Sequence, residues 1–243
     1  VEATLRGMLL RLLIDRPTDP IQYLVKICGT WRPKTLVVLG PPASGKRTIA
    51  EVIADRLGIE HVSTSDLVAG VMMTESSVGE KMRELTRGGH QMPDEIVEAL
   101  VTARLRERDC ADKGWILDGW PRGGAHAKNM RALGLEPQIV LILEVPDDTV
   151  EDRVSFRVLD PETNTLYHMT TDPPPLGVGG RCITRLGEST LEILQRIEEH
   201  HEAIGETLEA LEGIEGLRVE RVDANVGLHE LQELAESLAK KFA

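Results

Sequence analysis

An α/β fold with a five-stranded parallel sheet between helical layers is predicted by three features of the sequence. Apolar runs of strand length alternate with stretches of helical periodicity, and a glycine-rich loop follows directly on the first of those runs. The third is bulk: 41% of the 243 residues are hydrophobic, enough for a sizeable core.

Residues 1–32 stand apart from this alternation. Leu5, Leu9, Leu12 and Leu13 share a helical face, Pro17 and Pro20 interrupt it, and Ile21, Leu24, Val25 and Cys28 resume a second short amphipathic helix. A helical pair is expected here, joined through Trp31-Arg32-Pro33 to a main domain over 33–243. In that domain strands are predicted at 35–39, around 60–62, and at 115–117, 139–143 and 218–222. Helices are predicted at 46–57, 78–87, 94–108, 124–132, 147–157, 188–212 and 228–241. The stretch 158–186 breaks the pattern, because Asp160-Pro161-Glu162-Thr163-Asn164 reads as a turn and Asp172-Pro173-Pro174-Pro175-Leu176-Gly177 resists helix formation. So long an excursion is expected to be a surface lid.

The loop after the first strand is Gly40-Pro41-Pro42-Ala43-Ser44-Gly45-Lys46-Arg47-Thr48. Strand, glycine-rich loop and helix in that order form a P-loop, whose inward-facing amides and lysine grip the phosphates of a nucleotide. Gly40 and Gly45 bracket it because close approach to phosphate needs backbone free of Cβ. The usual hydroxyl directly after the lysine is replaced by Arg47, with Thr48 one residue later. A plain Gly/Pro turn is the alternative, and the flanking strand and helix weigh against it.

Bulk properties narrow the partners. A formal charge of -12 argues against nucleic acid or an anionic membrane surface, both of which need a broad basic face. Cys28, Cys110 and Cys182 are too few for a zinc site built from four cysteines and form no evident disulfide framework, which suits a reducing cytoplasmic compartment. No apolar run approaches the roughly 20 residues of a membrane span, and no secretory signal is visible. Opening on Val1 rather than Met is the pattern of a fragment or one domain of a longer chain.

A second motif, Trp115-Ile116-Leu117-Asp118-Gly119-Trp120-Pro121-Arg122, is a strand ending in a carboxylate and followed by an arginine. At the carboxyl edge of a parallel sheet, Asp118 is placed to hold a Mg²⁺-bound water and Arg122 a phosphate. Alone, the octapeptide also fits a strand end with a surface ion pair.

Taken together, residues 35–241 closely resemble the adenylate kinases. The resemblance rests on GPPASGKRT, Ser63-Thr64-Ser65-Asp66, Met92-Pro93-Asp94-Glu95, DGWPR, Val145-Pro146-Asp147 leading to Asp152-Arg153, Asp160-Pro161 through Tyr167-His168, and Thr184-Arg185 followed by Arg196. It implies a core, an arm over the monophosphate site at about 63–94, and a mobile lid at about 158–186. The lid carries no set of metal-ligand cysteines, which excludes zinc there. Residues 12–24 are similar to the segment before the first kinase domain of one isoenzyme of the family. They are also similar to the helical docking and dimerisation motif of the regulatory-subunit and Dpy-30 type, frequent in ciliary proteins. Hence residues 1–32 are expected either to recruit a protein partner or second copy, in the cytoplasm or a ciliary axoneme, or merely to cap the core.

By the same resemblance, Gly40, Pro41, Ala43, Ser44, Gly45, Lys46, Arg47 and Thr48 hold the phosphates of ATP, Asp118 positions Mg²⁺ through water, and Arg153 lies against the donor base. Arg157, Arg185 and Arg196 surround the transferring phosphoryl, while Arg122, Thr64 and His126 belong to the acceptor site, with AMP or another nucleoside monophosphate as acceptor. Three positions depart from the family pattern: Ala69 where an arginine would hold the acceptor phosphate, His126 where a glutamine would read adenine, and Gly187 in place of one of two lid carboxylates, Glu188 keeping the other. The expected function is therefore ATP plus AMP giving two ADP through a weakened acceptor site, the alternative being a degenerate domain that serves as a structural or nucleotide-sensing module. His200-His201, Met72-Met73 and Cys110 are expected to be surface or packing choices, and His168 structural.

Overall fold

The computed structural model describes residues 2–30, 33–87, 92–163, 165–170, 172–183 and 190–243. Two helices, α1 (Glu2–Asp15) and α2 (Pro20–Thr30), precede β1 (Lys34–Leu39), whose six residues end at the glycine-rich loop. The order continues α3 (Lys46–Leu57), β2 (Glu60–Ser63), α4 (Thr64–Met72), α5 (Ser77–Arg87), α6 (Asp94–Leu105), α7 (Arg108–Lys113) and β3 (Gly114–Asp118). Then come α8 (Gly124–Ala132), β4 (Ile139–Glu144), α9 (Asp147–Ser155), β5 (Arg157–Asp160), β6 (Thr165–His168), α10 (Thr190–Leu211), β7 (Arg218–Asp223) and α11 (Leu228–Phe242).

The main sheet runs β2-β3-β1-β4-β7 with every pair parallel, as the alternating pattern predicts. Its central strands are buried on both faces, which is why β1 and β4 read as unbroken apolar runs rather than alternating ones. Alternate residues of β1 divide the core: Leu36 and Val38 pack with α3, α9 and α11, whereas Val37 and Leu39 pack with α6, α8 and the end of α10. Among the described residues, the outer strand β7 pairs with β4 alone and carries a charged face, where Glu220 accepts from both Arg218 and Lys241 of α11.

Local differences from the predicted elements have physical causes. The single helix expected at 94–108 is two, because Glu107 is extended and Arg104 reaches across the break to both carboxylate oxygens of Asp109, at 2.8 Å each. Helix α4 starts directly after β2 with no connecting loop, a junction that hydrophobic spacing does not signal. Within 158–186 the chain forms an antiparallel hairpin, β5 with β6, and a further bridge joins Leu159 to Ile183. The first helices keep Leu5, Leu9, Leu13, Ile21 and Val25 exposed, while Met8 is buried and α1 touches α7.

Candidate active site

Strands β1 and β3 are neighbours, with Val38 opposite Asp118, so their carboxyl ends bring the glycine-rich loop and the Asp118 loop to one edge. The first of these loops depends on backbone that only small residues tolerate. Gly45 has φ 90°, and a Cβ there would lie 2.4 Å from Leu231 Cδ2. Gly45 also precedes α3 without a side-chain cap, which leaves the first amides of the helix available to an anion. Pro41 and Ser44 are buried, and Ala43 adopts the left-handed φ of 53°.

Lys46 Nζ donates to Gly40 O at 2.9 Å and Pro41 O at 2.6 Å, holding its ammonium across the loop mouth. Burial first, and then the charge of Arg196, push it down to about 7, with Arg122 and Arg157 acting in the same direction and Asp118 opposing them. Asp118, Arg122 and Arg196 line the same cleft as this lysine, and Arg157 is near enough for its charge to act on it. Arg47 turns elsewhere: it donates to Asp66 Oδ1 at 2.5 Å and Ser63 Oγ at 3.2 Å, so only its main chain shares the first turn of α3 with half-buried Thr48.

Asp118 is 6% exposed and held on both oxygens. His61 Nε2 lies 2.6 Å from Oδ2, and Ser63 Oγ donates to Oδ1 at 3.2 Å. The Thr64 hydroxyl donates to the Asp118 carbonyl at 3.3 Å, and it approaches Gly119 so closely that a Cβ there, at φ 81°, would fall 2.1 Å from the hydroxyl oxygen. Arg122 Nε donates to Gly119 O at 3.1 Å, and the Arg122 amide donates to His126 Nδ1 at 3.3 Å. His126 also stands 3.5 Å from Asp94 and 5.8 Å, ring to ring, from fully buried Trp120.

One cleft of about 680 Å³ joins these parts, running from Lys46 past Asp118, Arg122 and Arg196 to His126 and Asp94. Arg153 lies beyond it and donates to Ala43 O at 3.2 Å, Ala224 O at 2.9 Å and Val226 O at 2.8 Å, so it fastens the loop before α11 to the phosphate loop. Burial first, and then the charge of Arg157, lower Arg153 from its ordinary value. Arg185, Gly187 and Glu188 lie outside the described residues.

A Mg²⁺ ion suits this donor set. A single oriented carboxylate beside a phosphate cradle matches an ion that keeps most of its waters and takes substrate oxygens; among the described residues, no group of three or more His, Cys, Asp or Glu is arranged to hold a metal by itself. Sequence reasoning assigned no role to His61 or Ser63 and read His200 as a surface or packing choice. Period-two alternation puts His61 and Ser63 on one face of β2, and Ser63 pairs in register with Asp118, a signal that existed but needed the strand pairing to be read. His200 lines the cleft, where burial and the charge of Lys46 push it down to about 4 and so leave it neutral at pH 7, whereas its neighbour His201 bonds Asp147 at 2.9 Å.

Comparison with known proteins gives a consistent result. The family model described as Adenylate kinase matches residues 38–214. A probable adenylate kinase 2 of rice (Oryza sativa subsp. japonica), described as chloroplastic, is 34% identical over 173 residues, covering 71% of this chain and 60% of its own. The adenylate kinase of Trypanosoma brucei rhodesiense is 33% identical over 70% of this chain and 80% of its own. Human adenylate kinase 8 is 32% identical over 82% of this chain, which spans 42% of that longer protein.

Proposed function

The chain belongs to the adenylate kinase family, and from that premise we propose that it is a nucleoside monophosphate kinase transferring the γ-phosphoryl group of ATP to AMP, giving two ADP. The observation that carries this reading is the gathering of Lys46, Asp118, Arg122 and Arg196 around one cleft that continues to His126, with Arg157 near enough for its charge to act on Lys46. An oxygen of the AMP phosphate attacks the γ-phosphorus while the bond to the β,γ-bridging oxygen breaks, and the electron pair leaves with ADP. Such a reaction needs two anions aligned, the charge on the moving group neutralised and water excluded, rather than covalent help from the protein.

In this reading Lys46 and the amides of residues 40–48 hold the donor phosphates, and Arg122 holds the acceptor phosphate. Arg157, Arg185 and Arg196 flank the moving group, because a planar guanidinium offers paired donors to phosphate oxygens. Asp118 would hold Mg²⁺ through water, and the ion, when bound, supplies positive charge to the polyphosphate. A lid at about 158–186 would close over the donor side and shut out water. Arg153 lies against the donor base, its guanidinium tied to the Ala43, Ala224 and Val226 carbonyls.

The acceptor half is the weaker one. Ala69 is exposed on α4 and offers no charge to a phosphate, and a missing charge-assisted hydrogen bond is worth roughly 1.5–3 kcal/mol, or about ten- to hundredfold in binding. A coupled ADP assay at millimolar AMP tests the proposal against a Lys46→Met control. Turnover well above that control, with an ordinary KM for ATP and a high KM for AMP, is expected; turnover equal to it would favour a nucleotide-sensing module instead. The exposed apolar side chains of α1 and α2 support the reading of residues 1–32 as a protein-contact surface, which sedimentation of the purified chain tests for the case of a second copy.

A further inference from the structure

Arg47 is a charged residue at the mouth of the phosphate cradle whose guanidinium nevertheless turns away from it. One nitrogen donates both to Asp66 Oδ1 at 2.5 Å and to Ser63 Oγ at 3.2 Å, and the guanidinium also stands 4.0 Å from Glu51, one turn along α3. The protons run in one direction. Ser63 Oγ accepts from Arg47, so its single hydrogen is left for Asp118 Oδ1, 3.2 Å away, while Oδ2 faces His61 Nε2 at 2.6 Å. Ser63 is 4% exposed and Asp118 6%, so neither can readily exchange these partners for solvent. Asp66 is on the first turn of α4, next to the strand end that carries Ser63.

We propose that Arg47 is a positioning residue: anchored on Asp66, it orients the Ser63 hydroxyl, and Ser63 with His61 fixes the carboxylate of Asp118 in the attitude required to hold a divalent cation. The reason for each part is geometric. A carboxylate that keeps its outer lone pairs for a hydrated ion must have its rotation about Cβ–Cγ stopped by donors on the opposite side, and one donor leaves it free to swing. His61 supplies one stop from β2. Ser63 supplies the other, but a hydroxyl rotates, and Arg47 is the group that denies it the alternative orientation by occupying its lone pair. The relay also ties the metal-facing carboxylate to α4, the helix that carries Thr64 and Ala69 of the acceptor side.

This inference rests on the reading of Asp118 as the Mg²⁺-facing carboxylate, and the test separates the two. Mn²⁺ binding in the presence of a non-hydrolysable ATP analogue is followed by electron paramagnetic resonance for the parent chain, Arg47→Met, Ser63→Ala and Asp66→Asn. Affinity for the same analogue is measured in parallel in EDTA, and folding is checked by thermal unfolding. Arg47→Met and Ser63→Ala should weaken Mn²⁺ about tenfold, the usual cost of losing an outer-shell partner, with Asp66→Asn changed in the same direction by less, and with metal-free analogue affinity unaltered in all three. Unchanged Mn²⁺ affinity in folded Arg47→Met overturns the relay, as does an equal loss of analogue affinity in EDTA, which would make Arg47 a direct phosphate ligand. Should Ser63→Ala fail to fold, Arg47→Met and Asp66→Asn, both altered at exposed side chains, decide the matter. A parent chain that holds nucleotide but no Mn²⁺ overturns the metal reading of Asp118 itself, and this inference with it.

Discussion

Lys46 carries the steepest electrostatic consequence of any single side chain in the cleft. Its ammonium is pushed down to about 7 in the folded state from 10.5 in an unfolded chain, so between those values the unfolded chain holds more protons and stability rises with pH. Urea unfolding at pH 7 and pH 9 should show this gain for the parent chain and a smaller one for Lys46→Met; equal gains would mean the ammonium is not displaced. At position 69 the expected change is a gain of function. Ala69→Arg should lower the KM for AMP by about tenfold or more while leaving that for ATP untouched, the restored charge-assisted hydrogen bond being worth at least one decade. Steady-state kinetics with each substrate varied in turn checks it.

The β5–β6 hairpin is organised around Asp160, which receives Arg181 Nε at 2.8 Å and Nη2 at 2.6 Å, the Thr163 hydroxyl at 2.8 Å and the Glu162 amide at 3.1 Å. The Arg181 guanidinium, foremost among these, holds the Asp160 carboxyl far below the usual carboxylate range. A depressed folded value gives stability that is full above the ordinary value of about 4 and fades as pH falls below it. Limited proteolysis should therefore cut within 158–183 faster at pH 3 than at pH 7, and Arg181→Met should be cut fast at both; a variant as resistant as the parent at pH 7 would refute the role. The sheet and most helices were legible in the sequence because buried parallel strands are continuous apolar runs and the glycine-rich loop marks the first crossover. The break between α6 and α7 was not, since it depends on the Arg104–Asp109 contact, which propensity does not encode. Nor were the partners of Asp118: Lys46, Asp118 and Arg122 belong to contiguous motifs, whereas His61, and the contact Ser63 makes with Asp118, emerge only when β2 is laid beside β3.

For the molecule as a whole, the proposed function puts donor and acceptor in the one cleft, and simultaneous occupancy is then the most stabilising state. A ligand bridging both sides, at about a hundred times its Kd, adds about 2.7 kcal/mol to folding, and for a chain of this size that raises Tm by roughly 5–10 °C. Calorimetry with ATP, AMP and a dinucleoside polyphosphate should rank the shifts in ascending order AMP, ATP, bridging ligand; no shift with any of them would contradict the cleft as a nucleotide site. The rim of the sheet has a different consequence. Among the described residues, β7 leaves one row of main-chain donors and acceptors without a neighbouring strand, and Arg218, Glu220 and Lys241 form a charged ladder on the face of that strand. Any second chain that tried to add there would have to strip water from those ions, so the edge repels strand-by-strand polymerisation while the fold itself gains little from them. Replacing Arg218 and Glu220 together by threonine should leave cooperative unfolding intact yet produce growing light scatter in concentrated solutions where the parent stays clear.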